Sequence, residues 1–148
     1  DLERDDGERL WLPATTDRPP PGHRPSAGLS FLGHVEAAEL DRLFAGAVCV
    51  VAPAFREDYG LTAIEAMAYG KPVVVCRDGG GLVDTVVDDV NGLVVEPSGA
   101  GIAAAVRRLR DEPGLAARLS QGALETAATY TWDRAMAQFS DALERVAA

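Results

Sequence analysis

Two acids and a glycine stand where chemistry is easiest to place. Glu57 and Glu65 have seven residues between them, and Gly60 lies just before an apolar-periodic stretch that starts at Leu61. A helix beginning there presents first-turn N–H groups that lack intrahelical acceptors and carry partial positive charge, an arrangement that holds a phosphate. Gly60 gives that phosphate a backbone free of side-chain bulk. On a helical wheel Leu61, Ile64 and Ala68 form the apolar stripe, and Glu65 falls only about 40° from Leu61. Two readings of Glu65 stand: a solvated boundary acid, or an acid one turn into the helix that reaches back toward a crevice. Glu57 is likewise either a plain loop acid or a favourable charge beside the helix start.

Other motifs exclude reaction classes. Gly79-Gly80-Gly81 contains a G-x-G, but the third glycine position of a dinucleotide fingerprint holds Asp84. Gly70-Lys71 is followed by Pro72, and the first glycine position of a P-loop holds Glu65. His23 and His34 have no cysteine or acid cluster at ligand spacing, so no metal site is expected. No nucleophile elbow of the G-x-S-x-G type occurs.

The elements that must position these residues follow from periodicity. Leu29 to Gly33 reads as a short strand, and Glu36 to Ala47 as a helix with Leu40, Leu43, Phe44 and Ala47 on one stripe. Val48 to Ala52 and Val73 to Cys76 are β-branched runs, the mark of strands buried on both faces. Leu61 to Tyr69 is helical, and Gly70 is placed to end it. A short helix near Leu82 to Val87 precedes an Asn91-Gly92 turn, and Leu93 to Glu96 makes a fourth strand. Ser98 caps a helix carrying Ile102, Val106 and Leu109, and Pro113 opens another that runs to about Ala128. Thr131 caps the last helix, with Trp132, Met136, Phe139, Leu143 and Val146 on one stripe. Strands joined by helical crossovers of this length imply an α/β fold, a doubly wound parallel sheet with helices on both faces. In such sheets ligands gather at the carboxyl ends of strands, here the loops Gly33 to Val35, Pro53 to Gly60 and Arg77 to Gly81.

Composition bounds the rest. A chain of 148 residues with 47% hydrophobic and 25% charged residues can build one core. Its net charge of −9 would repel a phosphate backbone, so nucleic acid is not expected as a partner, although a backbone pocket can still hold one phosphate locally. The apolar run Leu43 to Phe55, broken by Pro53, falls short of the roughly 20 residues a membrane helix needs, and no signal peptide is evident. Cys49 and Cys76 sit inside valine-rich runs and read as buried thiols that fit a reducing, cytoplasmic setting. Residues 1–28 hold Pro13, Pro19, Pro20, Pro21 and Pro25 and read as a poorly ordered arm or linker; residues 29–148 read as the α/β domain.

The stretch Glu57-Asp58-Tyr59-Gly60-Leu61-Thr62-Ala63-Ile64-Glu65-Ala66-Met67-Ala68-Tyr69-Gly70-Lys71-Pro72-Val73-Val74 resembles the donor-site signature of family 4 (group 1) retaining glycosyltransferases of GT-B fold. Phe31-Leu32-Gly33-His34-Val35 is similar to the family's F-L-G-x-V strand end, and Gly80-Gly81-Leu82-Val83-Asp84 to its G-G-x-x-E turn. Asn91-Gly92-Leu93-Val94-Val95 is similar to its N-G-L-L-V strand. The resemblance covers roughly residues 29 to 146 and favours the functional reading of Glu65. It implies a partial Rossmann-like domain that binds a nucleotide-diphosphate sugar. In it Glu65 accepts the ribose hydroxyls, and Tyr59, Gly60, Leu61 and Thr62 surround the diphosphate. Glu57 lies against the donor sugar as the catalytic group, and Gly33, His34 and Val35 line the nucleobase. A helix start can stabilise the leaving phosphate, so neither metal nor cofactor is implied.

The chain departs from the family pattern at Asp84, where glutamate is usual, and at Asp58-Tyr59, where Gly-Phe is common. No Arg/Lys pair of the kind that neutralises the diphosphate is recognisable in residues 1–28. The resemblance therefore implies a fragment without its amino-terminal, acceptor-binding domain, inactive alone, its acceptor unidentified. A nucleotide-sugar epimerase of the same fold and a non-catalytic nucleotide-binding or partner-docking module are the alternative readings.

Overall fold

The valine-rich runs become the sheet. The computed structural model describes residues 30 and 32–147, in which three parallel strands pair in the order β1 (Val50–Ala52), β2 (Val73–Cys76), β3 (Gly92–Val95). Val51 lies opposite Val74, and Val74 opposite Leu93. Every residue of β2 is buried, as expected of a central strand covered on both faces. The strand expected at Leu29 to Gly33 does not form among the described residues: Ser30, Leu32 and Gly33 carry no strand, and Leu29 and Phe31 lie outside the description. Gly33 has a φ of 62°, a left-handed conformation that an extended ladder cannot accommodate.

Among the described residues six helices accompany the strands: α1 (Ala37–Gly46), α2 (Leu61–Ala68), α3 (Leu82–Thr85), α4 (Gly99–Asp111), α5 (Leu115–Ala127) and α6 (Trp132–Ala147). The chain divides into two compact units, residues 1–42 and 43–148. The proline-rich arm of residues 1–28 lies outside the described residues.

In the second unit the two faces of β2 build two cores. Val73 and Val75 pack with Ala63, Ala66 and Met67 of α2 and with Leu82 and Val86. Val74 points the other way, onto Leu93, Ala105 and Leu109 of α4 and Leu115 and Leu119 of α5. Helix α5 serves both, since Ala123 at its far end joins the first cluster. Fully burying a side chain such as Met67 or Leu119 contributes about 1.5–3 kcal/mol. Helices thus cover both faces of a parallel sheet, as the alternation of elements requires.

The packing face of α2 differs from the expected stripe. Ala63, Ala66 and Met67 are buried, whereas Leu61 is 62% exposed. The two alanines let the helix sit close against β2, and that contact turns Leu61 and Glu65 toward the open side. On α1, Leu40 and Leu43 are likewise exposed; Phe44 packs against the first core and stacks on Tyr69, with ring centroids 5.2 Å apart.

The helix ends follow their sequence signals. Gly70, with a φ of 65°, closes α2, its N–H donating to the Met67 carbonyl while the Lys71 N–H donates to that of Ala66. Ser98 caps α4 by accepting from the Gly101 N–H at 3.1 Å, and Thr131 caps α6 by accepting from Arg134 at 3.2 Å. Cys76 is buried and Cys49 half-buried, and burial pushes the Cys49 thiol up from its ordinary value. The apolar stripe of α6 forms as expected but packs on nothing described: Trp132 is 84% and Val146 88% exposed. No helix among the described residues is long and apolar enough to cross a membrane.

Asn91 of the Asn-Gly turn is buried and fully engaged. Its Oδ1 accepts from the Val87 N–H at 2.8 Å, and its Nδ2 donates to the Thr85 carbonyl at 3.1 Å and to Thr126 Oγ1 at 3.0 Å. The side chain therefore ties the end of α3 to α5. Asn91→Ala strands these buried partners and should lower stability by about 1–3 kcal/mol. Urea unfolding checks this; an unchanged midpoint would show that water replaces the amide without loss.

Candidate functional site

After Ala52 the chain leaves the sheet through residues 53–60 and re-enters as α2. Its path is fixed by a second strand-end loop, residues 77–81. The Arg56 N–H donates to the Asp78 carbonyl at 3.0 Å and the Glu57 N–H to that of Gly79 at 3.1 Å. The Gly81 N–H returns a bond to the Glu57 carbonyl at 2.7 Å. These bonds extend the parallel pairing beyond the sheet as a bridge between Glu57 and Gly80. A Cβ built on Gly80 would lie 2.5 Å from the Glu57 carbonyl oxygen, and one on Gly81 2.4 Å from that of Asp58. The glycine run therefore exists so that two backbones can touch. The main chain of Glu57 is pinned from both sides while the residue stays exposed to solvent.

Beside this loop lies a hollow of about 440 Å³ at the carboxyl end of β1. Its wall runs from Val51 to Ala54 and from Glu57 to Thr62, with Leu82 completing it. Glu57, Tyr59, Gly60, Leu61 and Thr62 are thereby brought together on one wall. Gly60 also meets a packing constraint. It adopts a φ of 80°, and a Cβ there would strike Leu82 Cδ2 at 2.5 Å. The missing side chain makes room for Leu82.

Helix α2 starts without a side-chain cap, and the Ala63 N–H is already bonded to the Gly60 carbonyl at 3.0 Å. The N–H groups of Leu61 and Thr62 are the earlier donors of this turn, and both residues stand on the wall of the hollow. Glu65 lies one turn on, exposed, on the same side of the helix as Leu61. Side chains on a helix lean toward its N-terminus, so this acid leans toward the Leu61 end of α2, but it is not among the residues that line the hollow.

Gly33, His34 and Val35 belong to the other compact unit, where Gly33 and His34 are exposed and Val35 half-buried. Lys71, next to Gly70, donates from Nζ to the Ala45 carbonyl at 2.8 Å and so serves the end of α1. Leu82 was missed as a wall residue. The signal for it was its place directly after a glycine run that had to bring two loops together.

A family model described as glycosyl transferases group 1 matches residues 23–126. The D-inositol 3-phosphate glycosyltransferase of Salinispora arenicola (strain CNS-205) is 39% identical over 105 residues, which are 70% of this chain and 23% of that protein. Among solved structures, sucrose-phosphate synthase from Thermosynechococcus elongatus superimposes with a TM-score of 0.68 at 31% identity, over 79% of this chain and 30% of that one. HepE of Anabaena in complex with UDP superimposes with a TM-score of 0.63 at 27% identity, over 78% of this chain and 32% of that one. The chain spans about a quarter of the length of the curated relatives it matches. It belongs to the group 1 glycosyl transferases.

Proposed function

We propose that this chain forms the donor-holding part of a retaining glycosyltransferase, which moves a sugar from a nucleotide diphosphate to an acceptor. The observation that carries this is the hollow itself, where the uncapped start of α2 meets an exposed acid on a pinned loop. The N–H groups of Leu61 and Thr62, with the partial positive charge of the helix start, hold the diphosphate and stabilise it as it departs. Glu65 accepts hydrogen bonds from the ribose hydroxyls. Glu57 faces the donor sugar, where its charge stabilises positive charge developing at the anomeric carbon. Tyr59 stands in the chain between Glu57 and the helix start and lines the same hollow. A relative captured with UDP supports the nucleotide class.

In this scheme the helix terminus supplies the electrophilic assistance, and no metal is used. Calorimetry of the chain with UDP and other nucleoside diphosphates, in the presence of a chelator, tests the proposal. Saturable binding in chelator is expected. Binding that requires added magnesium or manganese would refute the metal-independent part, and no binding of any nucleoside diphosphate would refute the donor role.

A further inference from the structure

A second hollow of about 450 Å³ adjoins the first through Tyr59, which stands on the walls of both. We propose that it is a binding site for an anionic polyol, such as a sugar phosphate, distinct from the nucleotide-sugar position. Its walls combine aromatic rings from Tyr59, Tyr130 and Trp132 with the polar side chains of Thr129, Arg134 and Gln138. A polyhydroxylated ring needs this mixture. Its C–H face packs on aromatic carbon, and its hydroxyls exchange hydrogen bonds with amide, hydroxyl and guanidinium groups.

The wall is built rather than accidental. Thr129 folds back on α5, its Oγ1 donating to the Thr126 carbonyl at 2.8 Å, and the Tyr130 N–H donates to that of Ala127 at 3.0 Å. The Tyr130 hydroxyl meets Thr85 Oγ1 at 3.4 Å, which fixes the far end of the ring. Arg134 is held at both ends: its N–H donates to Thr131 Oγ1, and its Nη1 donates to the Thr129 carbonyl at 3.3 Å. Most of its five donors remain open to a ligand. From the cap Thr131 into α6, Thr131, Arg134, Ala135 and Gln138 follow the i, i+3, i+4, i+7 spacing and all line the hollow. The exposed apolar stripe headed by Trp132 runs beside it.

Charge selects the ligand class. Arg134 is the one formally charged side chain on this wall, in a chain whose net charge is −9. A local cation on an otherwise acidic molecule favours a ligand that carries an anionic group. Occupancy of this hollow is independent of the donor proposal; only the statement that its ligand lies beside a donor rests on that proposal.

The test is an NMR titration of the isotope-labelled 148-residue chain with glucose 6-phosphate, glucose, inorganic phosphate and UDP in turn. Glucose 6-phosphate is expected to shift the amides of residues 129–138 and the Trp132 indole saturably. It should bind about tenfold or more tighter than glucose, and Arg134→Gln should abolish that preference. UDP should shift Leu61 and Thr62 instead, in wild type and variant alike, which shows that the variant is folded. The proposal is overturned by glucose 6-phosphate shifts confined to Leu61 and Thr62, by equal affinity for glucose, by equal affinity for inorganic phosphate, or by no saturable shift. If UDP is silent while glucose 6-phosphate moves residues 129–138, the donor role fails and this site stands.

Discussion

Glu65→Ala is expected to weaken the binding of nucleoside diphosphates about 10- to 150-fold while leaving the fold unchanged. The range follows from a charge-assisted hydrogen bond to a carboxylate, worth about 1.5–3 kcal/mol. Structural cost should be small, because Glu65 is exposed and contributes to neither core. Exposed helix positions also accept alanine readily. Calorimetry on wild type and variant, with thermal unfolding as the control, separates the two readings of this residue. A parallel loss with a ribose-free pyrophosphate probe would mean that the acid acts on the phosphates rather than on the ribose. Equal affinities for UDP would return Glu65 to a solvated helix face.

This prediction rests on a face of α2 that the sequence assigned incorrectly. Counting apolar residues selected Leu61, Ile64 and Ala68 as the buried stripe, because leucine and isoleucine outweigh alanine on any hydrophobic scale. The fold instead buries Ala63, Ala66 and Met67. Close packing against a fully buried strand rewards small residues on the contact face, so size mattered more than hydrophobicity. The consequence favours the site: the exposure of Leu61 leaves it and Glu65 together on the open side. The β-branched runs that became β1 and β2, the capping signals at Ser98 and Thr131, and the Gly70 stop were all legible, since each depends on local chain chemistry. The close contact of the two strand-end loops was not. Gly80 and Gly81 fit many loop conformations, and only the tertiary approach of the Glu57 and Asp58 carbonyls shows why side chains are absent there.

The pinning of Glu57 underlies the largest expected effect. A carboxylate that stabilises charge at a reacting carbon must be held in place before the charge appears, since reorganisation would consume much of the gain. Here the backbone on either side of the carboxylate is fixed by bonds at 3.1 Å and 2.7 Å to the neighbouring loop. Arg56 just before it adopts a φ of 49°, a turn in the chain that non-glycine residues adopt uncommonly, and its guanidinium lies over the Phe55 ring at 5.0 Å. Glu57→Gln keeps the size and the main-chain bonds while removing the charge. In the full-length enzyme it should lower kcat by about 10²–10³-fold, the scale seen when one preorganised electrostatic group is deleted. Affinity for the nucleoside diphosphate alone should change little, because the proposed scheme assigns that moiety to the start of α2 and to Glu65. Loss of nucleotide affinity with an unchanged rate would mean that the two glutamates have exchanged roles. If neither quantity moves, Glu57 is a loop acid whose contribution ends with its backbone, and the charge stabilisation must come from elsewhere in the protein.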